Sequence, residues 1–395
     1  MAQAAPSAWV DRWLVEDYGD AAALAADGVD LLLLVPVVVG AIVGVALLLL
    51  RKRRRRRARD DELREPPATA AVAAMSATTA TDSTAQSVHY EDAAPNATLK
   101  TLLSSEFLVG KRIPYDQVRL DRVISKGAYG EVWLGDVLGQ RVAVKRLLQN
   151  KQQLADDVHE FAQEIELSAS LGHPNVAGVV GVAWNSLKNL AMVMEFFPVG
   201  DLQTYLRKNI DLLSWKNDKI HVAVGLARAL EYLHSRTPPL IHRDVKSKNV
   251  LLTKSLEAKL IDFGVSRRRQ ENAMTAGVGT PFWTAPEILE GKRYTEQADI
   301  YSFGVVLSEL DTGMVPYHDM LNSEGKKKKP LQILAEVVAG TLRPALSEGC
   351  PEHIRRIYEA CCQQGPDHRP TAAQVADILE KSSINVGTHS REVVL

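Results

Sequence analysis

The sequence predicts an α+β fold preceded by a single transmembrane helix, and three observations carry that expectation. Residues 31–50 (LLLLVPVVVGAIVGVALLLL) form an uninterrupted apolar run. Residues 141–145 (RVAVK) alternate as a strand does, while 155–171 (ADDVHEFAQEIELSASL) place Val158, Phe161 and Ile165 on one helical face. Between Lys145 and Glu287 the segments VAVK, HRDVKSKN, DFG and APE follow in order. One such segment would be weak; four at workable separations are hard to produce by chance.

The apolar run has 20 residues. At about 1.5 Å per residue it spans about 30 Å, the hydrocarbon thickness of a bilayer. Pro36 falls where a kink is tolerable, because neighbouring groups can satisfy the freed carbonyl. Residues 51–59 (RKRRRRRAR) hold seven Arg and one Lys, whereas residues 1–30 hold six acidic side chains against Arg12. Positive flanks stay cytoplasmic, so residues 1–30 form a short extracytoplasmic segment and everything after the span faces the cytosol. The plasma membrane is favoured over an endomembrane. The acidic leader and the length of the run, beyond the ~7–15 residues of a signal core, argue for an uncleaved anchor. The polybasic juxtamembrane segment 51–59 would draw anionic lipid at about 1 kcal/mol per Lys or Arg, and no nucleic-acid partner is expected beside a membrane span. Gly40 and Gly44 form a small-xxx-small pair suited to a homodimer, a spacing that also occurs in spans that never dimerise.

Residues 60–112 read as a disordered linker, since PPATAAVAAMSATTATDSTAQS has too few large apolar groups to fold. Residues 113–382 read as one large domain and 383–395 as a flexible tail. The three cysteines, Cys350, Cys361 and Cys362, show neither zinc spacing nor a paired framework and are expected as buried thiols. With 395 residues and an overall charge of −1, the chain has room for one large domain plus the anchor.

In HRDVKSKN, Asp244, Lys246 and Asn249 set a carboxylate, a cation and an amide within six residues. Transfer of a γ-phosphoryl group has a loose, highly charged transition state, so a protein must mainly neutralise and position, and residues of these types are what it needs. In ISKGAYGEV, Gly127 and Gly130 would let backbone approach phosphates before Val132 resumes a strand.

From about 118 to 378 these motifs resemble the eukaryotic protein-kinase superfamily. HRDVKSKNVLL, SFGVVLSELDTG and PDHRPTAAQV look more specifically like its tyrosine-kinase-like (TKL) group. The resemblance implies a two-lobed protein-kinase fold, with a β-rich small lobe and a helical large lobe, using ATP with Mg2+ or, in its place, Mn2+. It implies that Lys145 holds the phosphates and is held by a glutamate of the next helix. Glu164 and Glu166 are both candidates, and counting back from His173-Pro174 selects Glu164. Asp244 would be the base, Lys246 would steady the phosphoryl group, and Asn249 and Asp262 would bind Mg2+. Ser125 stands where the family has its first loop glycine. Met194 would be the gatekeeper, with the backbone of Glu195 and Phe197 at the adenine edge and Val132, Ala143 and Leu251 as apolar walls. Asp299 would brace the catalytic loop, and Glu287 with Arg369 would form a buried ion pair.

Lys246 and the stretch Gly279-Thr280-Pro281 resemble serine/threonine kinases, in which a small platform keeps a short hydroxyl side chain near the base. Protein Ser/Thr hydroxyls are therefore the expected substrates. The alternatives are a dual-specificity kinase and a catalytically weak membrane-bound scaffold; with Lys145, Asp244, Asn249 and Asp262 all present, activity is the default expectation. Arg243 beside Asp244 resembles a cation that awaits a phosphate, with Thr275 in NAMTAGVGT as the expected phosphosite.

Overall fold

The computed structural model describes residues 93–388, apart from 128, 150, 153, 263–280 and 323. The expected segments 1–30, 31–50 and 51–59, the Gly40/Gly44 pair and Thr275 lie outside the described residues. Among the described residues no helix is long and apolar enough to cross a membrane.

The small lobe is a six-stranded sheet: β1 (Arg112–Ile113), β2 (Val118–Lys126), β3 (Gly130–Val137), β4 (Gln140–Leu147), β5 (Val179–Ala183) and β6 (Ala191–Glu195), in the order β1-β5-β6-β4-β3-β2. The β3–β4 hairpin turns on Leu138 and Gly139, both at positive φ (52° and 86°), the two-residue turn whose twist matches the flanking strands. Alternation in RVAVK then separates two faces of β4. Val142 and Val144 enter one apolar layer with Val193 and Ala191. Ala143 and Lys145 point the other way, opposite Met194 and Leu134, and opposite Val132 and Met192.

Helix α2 (Ala155–Ala169) covers part of that second face. Its Val158, Phe161, Ala162 and Ile165 share a buried cluster with Leu147, Val182 and Met192. The helix follows the predicted periodicity, and Glu164 is itself buried at 4% exposure.

Two expected boundaries need correction. Residues 60–112 are not linker throughout: α1 (Ala93–Ser104), a 3-10 turn (Glu106–Leu108) and β1 belong to the small lobe. Leu102 and Leu108 lie in the same cluster as α2, so these two apolar groups find burial against a neighbouring helix and the segment needs no core of its own. At the other end, the last helix runs to Thr388, past the expected boundary at 382.

The large lobe is helical: α3 (Leu202–Asn209), α4 (Ile220–His234), the short ribbon β7 (Val250–Leu252) and β8 (Ala258–Leu260), α5 (Pro286–Leu289), α6 (Gln297–Thr312), α7 (Pro330–Val338), α8 (Glu352–Cys361) and α9 (Ala372–Thr388). Helix α6 is its axis. Every residue from 298 to 311 is buried, a helix apolar enough to be surrounded, and Gly313 ends it at φ 72°. The three cysteines are buried and free.

Candidate active site between the lobes

Lys145 stands on the central strand β4, facing α2. Its Nζ donates to Glu164 Oε1 at 2.5 Å and to Asp262 Oδ1 at 2.5 Å. Glu166, two residues along the helix, is not the glutamate that Lys145 meets. Burial opposes the charge on Lys145, but Asp262 and Glu164 more than offset it and hold the ammonium above its usual range. Partial desolvation likewise disfavours ionised Asp262, and the Lys145 charge overrides it, keeping the carboxyl below the usual carboxylate range.

The catalytic-loop residues gather beside this pair. Lys246 Nζ donates to both Asp244 oxygens, at 2.8 and 2.7 Å. Asn249 Nδ2 donates to Asp244 O at 2.8 Å and to Oδ2 at 2.9 Å, which turns its own Oδ1 away from those bonds. Ile261, which precedes Asp262, ties the two groups together: its N–H donates to Asn249 O at 3.0 Å, and its carbonyl is 2.9 Å from His242 Nε2. Asp244, Asn249, Asp262 and Lys145 therefore converge.

Two of these backbones are strained. Arg243 and Asp262 sit at φ 71° and 65°, the left-handed region that costs non-glycine residues of order 1–3 kcal/mol. For Arg243 the compensation is visible: buried Asp299 accepts from His242 N at 2.7 Å and Arg243 N at 2.8 Å, and its Oδ2 lies 2.9 Å from His234 Nε2. The loop is thus bolted to α6 as well as to Ile261, the residue after β8.

The remaining candidates line the sheet side. Val132 is opposite Lys145 in the ladder, and Ala143 is opposite Met194. Glu195 commits its N–H to Gly178 O at 3.2 Å and its carboxylate to Gly178 N at 3.1 Å. Phe197 follows in the connection to α3, and Leu251 bridges Asp201 from below. Ser125 pairs with Val132 at the end of β2, and Gly127 N donates to Gly130 O at 2.8 Å across the turn. At Gly130 a Cβ would come within 2.7 Å of Arg146 O, so the β4 backbone already demands glycine there.

A kinase model described as "Protein tyrosine and serine/threonine kinase" matches residues 118–379. The chain belongs to this protein kinase family. The family uses ATP with a divalent cation. Similar curated proteins include "Probable serine/threonine-protein kinase drkA" of Dictyostelium discoideum, 36% identical over 69% of this chain and 40% of its own length. Others are the serine/threonine-protein kinase STY17 of Arabidopsis thaliana, 33% identical over 71% of this kinase and 47% of its own, and the RGS domain-containing serine/threonine-protein kinase A of Dictyostelium discoideum, 32% identical over 74% and 25%. This kinase therefore spans less than half the length of these relatives.

Sequence reasoning missed one polar centre under the site. Glu309 of α6 is 1% exposed and accepts from Ser247 Oγ at 2.6 Å, Trp283 Nε1 at 2.7 Å and Gln203 Nε2 at 3.4 Å. It joins the loop of Asp244 to the segment that follows Pro281. The available signal was a lone glutamate in the apolar stretch of α6, because a buried charge must be partnered.

Burial pushes the Glu309 carboxyl up to about 7, against the donors of Ser247, Trp283 and Gln203 that favour its charge. Its folded pKa thus exceeds the unfolded value of 4.5, so the folded state holds the extra proton between those limits. Glu309's contribution to stability consequently falls as pH rises from about 4.5 through about 7. Glu309→Gln cannot titrate. In thermal melts, the wild-type midpoint should therefore drop relative to that of the variant between pH 5 and pH 8; a pH-independent difference would contradict this account.

Proposed function

We propose that the chain is a membrane-anchored serine/threonine protein kinase of the TKL group, transferring the γ-phosphoryl of Mg-ATP to Ser or Thr hydroxyls of proteins. The observation that carries the catalytic part is the convergence of Lys145, held by Glu164 and Asp262, with the hydrogen-bonded set Asp244, Lys246 and Asn249. Bound Mg-ATP supplies the phosphoryl group and a cation that neutralises its charge. Asp262 and the Asn249 Oδ1 are hard oxygen donors suited to Mg2+. Among the described residues no group of three or more His, Cys, Asp or Glu side chains could hold a metal alone, which fits an ion shared with phosphates rather than caged by protein.

Asp244 orients the substrate hydroxyl and takes its proton, with Lys246 within reach of both its oxygens and of an incoming phosphate. Lys145 positions the α- and β-phosphates. Gly127 and Gly130 of the glycine turn would hold the phosphates, Val132, Ala143, Met194 and Leu251 would supply apolar walls for the base, and the backbone of Glu195 and Phe197 would meet its edge. Lys246 and the Gly279-Thr280-Pro281 platform support Ser/Thr preference, as do the names of the relatives. Membrane anchoring rests on the apolar run 31–50 and the basic cluster 51–59. The Gly40/Gly44 pair supports a homodimer on the same footing.

The test is the full chain in detergent with Mg-ATP and a generic Ser/Thr protein substrate, followed by phosphoamino-acid analysis. Phosphoserine or phosphothreonine is expected, phosphotyrosine as well would establish dual specificity, and no incorporation would favour the scaffold. Arg243 supports regulation by activation-segment phosphorylation. Thr275→Ala should then lower activity about tenfold or more, given the charge-assisted bonds a phosphate adds; undiminished activity would remove Thr275 as the switch.

A further inference from the structure

The segment ahead of the family-matched region grips α2 at three places along its length. Near the helix start, Thr98 Oγ1 lies 3.2 Å from His159 Nδ1, and Thr98 is only 1% exposed. In the middle, Leu102 and Leu108, each 4% exposed, pack in one cluster with Val158, Phe161 and Ile165. At the far end, Lys111 Nζ donates to Ala169 O at 3.3 Å. That carbonyl belongs to the last turn of α2, where helix carbonyls lack intrahelical partners and a cation also opposes the negative end of the dipole. The base of the grip is itself anchored, since Lys111 O accepts from Val182 N of β5 at 2.9 Å.

Helix α2 carries Glu164, and Glu164 holds Lys145 at 2.5 Å. A helix that rests on the sheet by one face can rotate or slide outward. Here a second apolar surface and a C-terminal cap resist that motion.

We propose that Thr98, Leu102, Leu108 and Lys111 are positioning residues for phosphoryl transfer: they hold α2 where Glu164 meets Lys145. Catalytic competence thereby depends on residues 93–112, which lie upstream of the matched region 118–379. Whatever pulls on or rearranges this segment acts on the Lys145–Glu164 pair through α2. The inference rests on the kinase activity proposed above.

The test uses the full chain, comparing wild type with the double variant Leu102→Ala/Leu108→Ala and with Lys111→Met. Two quantities are read: the rate of phosphate incorporation at saturating and subsaturating ATP, and amide hydrogen exchange across 155–169 and across α6. The double variant should lose about tenfold in kcat/KM for ATP. Its exchange should quicken in α2 while α6 stays protected. Lys111→Met should move both readouts the same way by a smaller factor, without leaving a hole in the apolar cluster. Leu103→Ala, at a neighbouring position that is 63% exposed, should behave as wild type. Leu102→Met/Leu108→Met, which keeps the apolar contact, should recover most of the loss.

Wild-type rates in both Leu102→Ala/Leu108→Ala and Lys111→Met would overturn the proposal. So would quickened exchange in α6 to the same degree as in α2, because general loosening would then explain the loss. A wild-type chain that transfers no phosphate defeats the proposed activity instead, and the exchange comparison still decides whether the segment holds α2.

Discussion

Asp244→Asn should lower kcat by roughly 10²–10⁴-fold, the range associated with a positioned proton acceptor, while leaving KM for ATP nearly unchanged. The substitution is close to isosteric. Asn249 Nδ2 can still donate to the backbone carbonyl of residue 244, where it now lies at 2.8 Å, and the bolts from Asp299 to His242 N and Arg243 N do not involve the 244 side chain. What disappears is the negative oxygen pair that Lys246 Nζ now contacts at 2.8 and 2.7 Å, and with it the group proposed above to orient and deprotonate the substrate hydroxyl. Steady-state phosphate incorporation together with a thermal melt separates chemistry from folding. An unchanged rate would show that incorporation does not pass through Asp244, and the catalytic assignment would fail.

Arg369→Met should be the most destabilising single change among those considered, at about 3–5 kcal/mol, the cost of leaving one partner of a buried ion pair uncompensated. Arg369 Nη1 and Nη2 meet Glu287 Oε1 and Oε2 at 2.7 and 2.8 Å, and the guanidinium side chain is 0% exposed. Its other donors serve three carbonyls, those of Gln363, Gln297 and Gln364, at 2.9, 2.9 and 3.2 Å. One residue thus ties the start of α5 to α6 and to the turn before α9. Its loss strands a buried carboxylate and three acceptors at once. At roughly 2–4 °C per kcal/mol for a domain of this size, the midpoint should fall by about 6–20 °C. A melt within about 2 °C of wild type would show that water or a rearranged loop replaces the guanidinium. Combining it with Glu287→Gln should cost less than the two changes added separately, because the second removes the charge the first strands.

Several parts of this molecule were legible before any coordinates. The strand at 141–145 and the helix beginning at 155 follow from periods of two and about 3.6, and those periods also decide that Lys145 and Ala143 share a face while Val142 and Val144 share the other. The choice of Glu164 needed the family resemblance, since Glu164 and Glu166 look alike as residues. Geometry separates them: two positions apart on a helix, they point to nearly opposite sides, and Glu164 is the one at 2.5 Å from Lys145.

What residue types and their spacing determined by themselves is which charged and amide groups are of the kind that can handle phosphate and the order in which the chain supplies them, because charge, metal affinity and period are local properties, whereas the role of each group came from the family resemblance. Only the tertiary structure decided that α1, upstream of 113, packs into the small lobe, and that Glu309 joins Ser247 to Trp283 beneath the catalytic loop. A 12-residue helix with few apolar side chains is marginal alone and becomes worth forming only when α2 presents a surface that buries Leu102 and, just beyond it, Leu108. Likewise a glutamate within an apolar helix declares that it needs donors, but their identity depends on segments 26 and 62 residues away in sequence, which only the folded chain brings within hydrogen-bond distance.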